Sequence, residues 1–165
     1  MRFVRYALLL VAVFIFSSAV RWLFPQTPLP FDLFLVAVVF VALFRSPMHA
    51  QLFGLVTGLT QDVFSNEIIG LNAISLTVLA YIIASLRQAV IIKGTPQRAM
   101  AFTFATIADA FLLAGIASAF NLPVVLDPLS LTIRAITNTA IGLIAVLLLH
   151  RRIEERQKME RYEVT

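Results

Sequence analysis

Gln61, Asp62, Ser65, Asn66, Glu67 and Asn72 interrupt an otherwise apolar stretch between Val56 and Ala73. A carboxylate and carboxamides at a membrane boundary are costly unless they have partners or a task. Side chains of this kind can hold a proton, a ligand or another helix. Asp109 is a second such residue, inside a long apolar run. Arg134, Asn138 and Gly142 are spaced by four and share one helical face, so Arg134 or Asn138 is the expected partner of Asp109. Two readings of that pair stay open: a polar clamp between the fifth and sixth helices, or a proton or ligand site. Arg21 and Asp32 flank the first loop, and either is a candidate partner for Asp62. Asp32 also falls in the first turn of a helix, where a negative charge is favoured.

Bond-making chemistry has little support. There is no HExxH, no GxSxG and no phosphate-cradling glycine loop. His49 and His150 lie far apart at helix ends. An aspartate pair needs both carboxyls at one depth, and the helix boundaries put Asp62 and Asp109 at different depths. Cysteine is absent, which removes disulfides and thiolate sites. No enzyme activity, metal or cofactor is expected.

The elements that must position these residues are helices in a membrane. The chain has 165 residues, 60% hydrophobic and only 13% charged, against about 25% charged in an ordinary soluble domain. A spanning helix takes about 20 apolar residues. Six apolar runs are read: about 6–24, 30–44, 47–64, 72–93, 96–120 and 128–150, with a charged tail over 151–165. They make one polytopic membrane domain over 1–165, an all-α integral membrane protein. Pro25, Pro28 and Pro30 make a rigid exit from the first helix. Ser46-Pro47, Thr95-Pro96 and Asp127-Pro128 read as helix starts, and Gly94 as a stop. The second helix is short: 17 residues from Pro30 to Ser46 reach about 25 Å, less than a ~30 Å core. The first run also resembles a signal peptide, but an uncleaved first helix is the simpler expectation.

A pI of about 10.1 raises nucleic acid as a partner, but position argues against it. Of the 13 basic residues, all but Arg21 and Arg134 fall on one side if the N-terminus is cytoplasmic. That bias over short loops places both termini in the cytoplasm. Gly54 and Gly58 form a GxxxG pair, with Asp62 on the same stripe four residues on. Small residues let helix backbones approach closely in lipid, so this face is expected to pack within the chain rather than against a second copy. Homo-oligomerisation stays open.

Further residues carry a resemblance. Leu29-Pro30-Phe31-Asp32-Leu33 opens the second helix, and Gly54-x-x-x-Gly58-x-x-x-Asp62 is followed by Ser65 and Gly70-Leu71-Asn72-Ala73. Tyr81, Ile107-Ala108-Asp109 and Asn138 follow in the later helices. The chain resembles the MreD family, small polytopic rod-shape-determining membrane proteins of bacteria. The block from Asp62 to Ala73 is its most specific part. Phe31 separates Asp32 from the proline that usually precedes the polar residue, so Asp32 carries over less directly.

The resemblance implies a non-enzymatic scaffold of the cell-wall elongation machinery in the bacterial inner membrane. It implies direct binding to MreC, and through MreC a link to MreB and the peptidoglycan-synthesis enzymes. It implies a bundle similar to the S components of energy-coupling-factor transporters. An S-component-like protein that binds a small molecule or lipid is the alternative function. The residues expected to hold the fold or a partner are Gly54, Gly58, Gln61, Asp62, Gly70, Asn72, Asp109, Arg134 and Asn138.

Overall fold

The computed structural model describes residues 2–23, 31–65, 68–89, 94–122 and 127–162, with side chains for 8–20, 22–23, 31–65, 68–88, 94–122 and 127–148. Six helices form: α1 (Arg2–Leu23), α2 (Leu33–Phe44), α3 (Pro47–Ser65), α4 (Leu71–Ala89), α5 (Thr95–Ala119) and α6 (Pro128–Tyr162). No strand occurs among the described residues. Three helices carry stretches long and apolar enough to cross a membrane: Leu71–Gln88, Thr95–Ala119 and Pro128–Leu148. Shorter apolar stretches run over Leu8–Val20 and Leu33–Phe44.

Helix α2 is the centre. Its sequence is apolar all round, which suits a helix that is buried all round. Nine of its twelve residues are buried, and it packs on all five other helices. Val36, Val38, Val39 and Val41 are weak helix formers, so tertiary packing holds this segment helical. Asp32 sets its start three residues later than the expected boundary: the side chain accepts hydrogen bonds from Phe34 N and Leu35 N. Twelve residues reach only about 18 Å, shorter still than the sequence suggested. The surrounding helices resolve the mismatch, because α2 meets protein rather than lipid.

The other starts differ in their devices. Asp127 caps α6 by accepting from Ser130 N at 2.9 Å. Ser46 instead engages His49 Nδ1 at 2.7 Å, while its carbonyl accepts Ala50 N at 3.0 Å. Thr95 does not cap α5: it lies inside the helix, and Gly94 is the cap residue, with no side-chain bond. At the far end of α5, Asn121 adopts φ 54°, and Leu122 N returns to Ala117 O at 2.9 Å. This is a left-handed helix terminator, one of the few places a non-glycine residue is tolerated. The charged segment after His150 is no separate helix. It continues α6, whose 35 residues extend about 52 Å. Residues 90–93, at the expected end of the fourth helix, lie outside the described residues.

Two close approaches organise the packing. Along α3, a Cβ on Gly54 would meet Leu76 O at 2.6 Å, and one on Gly58 would meet Ala73 N and Asn72 O at 2.6 Å. These are backbone atoms of α4, so the α3–α4 contact has no room for a methyl group. On α6, a Cβ on Gly142 would strike the Phe102 ring at 2.5 Å, and Phe102 is fully buried in that slot. Phe64, at the end of α3, joins α1 to α2: its ring lies 5.4 Å from Phe14 and 6.1 Å from Phe34.

Gly58→Ala is expected to destabilise the purified protein by about 1–3 kcal/mol, the usual range for overpacking. Gly115→Ala, whose added Cβ meets nothing within 4 Å, should melt at or above the parent temperature. Equal thermal shifts for the two variants in detergent would contradict the close-contact account of α3 and α4.

Candidate functional site

Helices α2, α4 and α6 begin at one end of the bundle, where α3 ends. Polar side chains gather there and one turn deeper. The starting N–H groups of a helix have no partner within it. In α4 those groups are met by Asp62, a residue of the preceding helix. Its Oδ2 accepts from Gly70 N at 2.8 Å and Ala73 N at 3.3 Å. Its Oδ1 accepts from Asn72 N at 3.0 Å and Asn72 Nδ2 at 2.9 Å. Asp62 is fully buried, and its charge faces the positive end of the α4 dipole. Gly70 has φ 106°, a left-handed conformation suited to glycine; its carbonyl accepts Ile74 N at 2.9 Å. Space is not its constraint, since a Cβ there meets nothing.

Asp32 is the second node. Its Oδ1 accepts from Phe34 N and Leu35 N at 3.0 and 3.1 Å. Its Oδ2 accepts from Gln61 Nε2 at 2.9 Å and lies 3.7 Å from Arg134 Nη2. The backbone N of Asp32 donates to Asn138 Oδ1 at 2.8 Å, and Asn138 Nδ2 donates to Thr106 Oγ1 at 3.3 Å. Asn138 is fully buried, so one carboxamide ties the start of α2 to both α5 and α6. Thr57 Oγ1 and Gln61 Oε1, one turn apart on α3, are buried with no hydrogen-bond partner, so the network is not saturated.

Asp109 is the third node, and here the expected pairing fails. Its partner is neither Arg134 nor Asn138. Ser75 Oγ of α4 donates to Asp109 Oδ1 at 2.7 Å. Arg134 turns to Asp32, and the α5–α6 register sets Asn138 against Thr106, one turn short of Asp109. The clamp at Asp109 therefore joins α4 to α5. Helices α5 and α6 are joined instead by Asn138–Thr106 and by Thr103 Oγ1 to Thr139 Oγ1 at 2.9 Å. The expected pairing of Asp62 with Asp32 is likewise replaced, by the start of α4. The Arg21 side chain lies outside the described side chains, as do Asn66 and Glu67.

Each of the nine expected residues thus has a place. Gly54 and Gly58 face α4, and Asp62, Gly70 and Asn72 form its cap. Gln61, Arg134 and Asn138 converge on Asp32, and Asp109 stands apart with Ser75. The sequence reading discounted Asp32 and missed Ser75 and Thr106. Asp32 had a signal: an Asp directly before a twelve-residue apolar run is a helix cap. The two hydroxyls had none, being ordinary residues of apolar helices. A network of carboxylates bound to N–H groups, amides and one guanidinium can fix helices relative to one another. Within it, all of Asp62's bonds go to the start of α4.

Asp62→Ala is expected to cost about 1–3 kcal/mol for each buried donor left unmet, and hydrogen exchange should speed up over residues 70–73. Asp109→Asn keeps an acceptor for Ser75 and should cost less than about 1 kcal/mol. Thermal unfolding of both variants checks the order; a larger loss for Asp109→Asn would reverse these roles.

No curated protein and no solved structure matches the chain. The family model described as rod shape-determining protein MreD matches residues 1–151. That span takes in all the polar nodes described above, and the chain belongs to the MreD family of rod shape-determining proteins.

Proposed function

We propose that this protein is a non-enzymatic membrane scaffold of the cell-wall elongation machinery, which binds MreC and helps maintain rod shape through spatial control of peptidoglycan synthesis. The family match over residues 1–151 carries the reading. The site chemistry supports it: Asp62 and Asp32 are engaged in helix caps, and Asp109 holds a serine of its neighbour. Such residues hold a shape and do not transform a substrate. The protein sits in the bacterial cytoplasmic membrane with six helices and both termini inside. Helix α2 needs no lipid contact in that arrangement.

One concave surface among the described residues supports a scaffold over the S-component-like receptor. It is an open, largely apolar groove between α5 and α6, lined by Thr103, Ile107, Ala135, Ile136 and Thr139. Small-molecule sites bury most of their ligand and place several polar groups around it, whereas a membrane helix or an acyl chain needs only an apolar trough. MreC, a bitopic protein with one transmembrane helix, suits such a surface, and its contact with MreB and the synthetic enzymes makes this chain's link to them indirect.

Tagged full-length protein, extracted in gentle detergent, should retain MreC in near-stoichiometric amount and restore rod shape to cells lacking the native protein. Rod shape restored with no MreC retained would remove direct binding from the proposal. A stoichiometric small molecule found by mass spectrometry would favour the receptor instead.

A further inference from the structure

Tyr81 takes no part in the polar network that organises the bundle. It stands on the outer face of α4, 50% exposed, and its hydroxyl bonds to none of the described residues. A serine or threonine in a helix can turn its hydroxyl back to a carbonyl of the previous turn, as Thr77 does with Ala73 O at 2.6 Å. The ring of a tyrosine holds its hydroxyl away from that carbonyl. An acceptor for Tyr81 must therefore come from outside its own helix.

Depth restricts what that acceptor is. Tyr81 is eleventh of the eighteen residues in the membrane-crossing stretch Leu71–Gln88, about 15 Å along it. Helical side chains lean toward the N-terminus, so this one leans away from the nearer end and toward the middle of the span. Acyl chains carry no acceptor there, and water does not reach it. Another transmembrane helix is what remains. The flanking helices turn apolar side chains outward, Met100, Phe104 and Ile107 on α5 and Leu55 and Leu59 on α3, which suits lipid. The outer face of α4 is built differently.

Ile74, Val78, Tyr81, Ser85 and Gln88 follow one another at intervals of four, three, four and three. That is the row along which two helices meet in a left-handed pair. All are exposed except Ser85, which is half-buried. Each polar group in the row, hydroxyl or carboxamide, both donates and accepts, and none is charged. Such a row complements itself. Two copies inserted in the same direction are related by a two-fold axis along the membrane normal. Each residue then meets its counterpart at equal depth, hydroxyl against hydroxyl and carboxamide against carboxamide. The adjacent cation, Arg87, is engaged within the chain, its Nη2 donating to Arg45 O at 3.1 Å, so identical faces bring no like charges together in the row.

We propose that the outer face of α4, centred on Tyr81, is a dimer interface whose occupant is the same face of a second copy of this chain. The interface rests on the membrane placement of the chain and is separate from the groove between α5 and α6. The chain has no cysteine, so single introduced cysteines report contacts between copies. Full-length Val78→Cys in phospholipid vesicles at high lipid-to-protein ratio, oxidised with copper phenanthroline, should form disulfide-linked dimers. Phe104→Cys, on the apolar outer face of α5, should stay monomeric. The bond between Ser75 and Asp109 levels the two antiparallel helices, which puts both cysteines within about 5 Å of one depth. Tyr81→Phe, added to Val78→Cys, should cut the cross-linked fraction several-fold while the melting temperature holds. In the parent chain the same change should leave MreC retention as it was. No cross-linking of Val78→Cys, equal cross-linking of Phe104→Cys, or full yield with Tyr81→Phe would overturn the interface. Loss of MreC with Tyr81→Phe would assign the face to that partner and overturn the second copy.

Discussion

A helix that begins inside an apolar bundle brings N–H groups that no water reaches, and each must find an acceptor. In α4 the acceptor is a carboxylate from the helix before it. This arrangement differs from ordinary capping, in which the residue just before the helix serves its own start, as Asp32 does for α2 and Asp127 for α6. Because Asp62 reaches across from α3, the cap also fixes the distance between two helices. Gly54 and Gly58 are the steric consequence: with α3 drawn onto the start of α4, no side chain fits between them. The placement of Ser75, one turn into α4, follows from the same anchor, and with it the hydrogen bond that holds Asp109.

The second node transmits this order outward. Gln61 stands beside Asp62 on α3 and donates to Asp32, so the end of α3 is tied to α4 through one residue and to α2 through the next. Asp32 then meets Arg134 and Asn138 of α6. Four helices are thereby set in register through a few short contacts, each pairing an anionic or polar acceptor with a defined donor. Dispersion between apolar helix faces tolerates sliding. Hydrogen bonds of this length do not, which explains why the polar residues are concentrated where the helices start and stop.

The number of helices was legible because lipid-scale hydropathy and proline punctuation are local signals. The same holds for Asp62, whose spacing from Gly54 and Gly58 is visible in one helix. The close pairing of α3 with α4 also follows from a short loop and a small-residue stripe. Partnerships across long separations were not legible. Asp109 had two plausible polar partners on α6, and which helix it turned to depended on a register that no single helix encodes. Ser75 carries no mark that sets it apart from other serines. The central place of α2 was hidden for a different reason: uniform apolarity signals burial but does not say whether lipid or protein does the burying. Only the shortness of the run hinted at the answer, and the cap at Asp32 made the helix shorter still.

The burial of α2 also bears on the order in which the molecule can be made. An 18 Å segment (twelve residues at 1.5 Å each) cannot span the hydrocarbon by itself. Its shelter includes α4, α5 and α6, all synthesised after it. The contact that ties its start to α6 joins residues 106 positions apart. During synthesis the second helix therefore gains its full cover only once the last helix has been made. The fold is closed from its C-terminal end, and a truncated chain lacking α6 leaves its own centre uncovered.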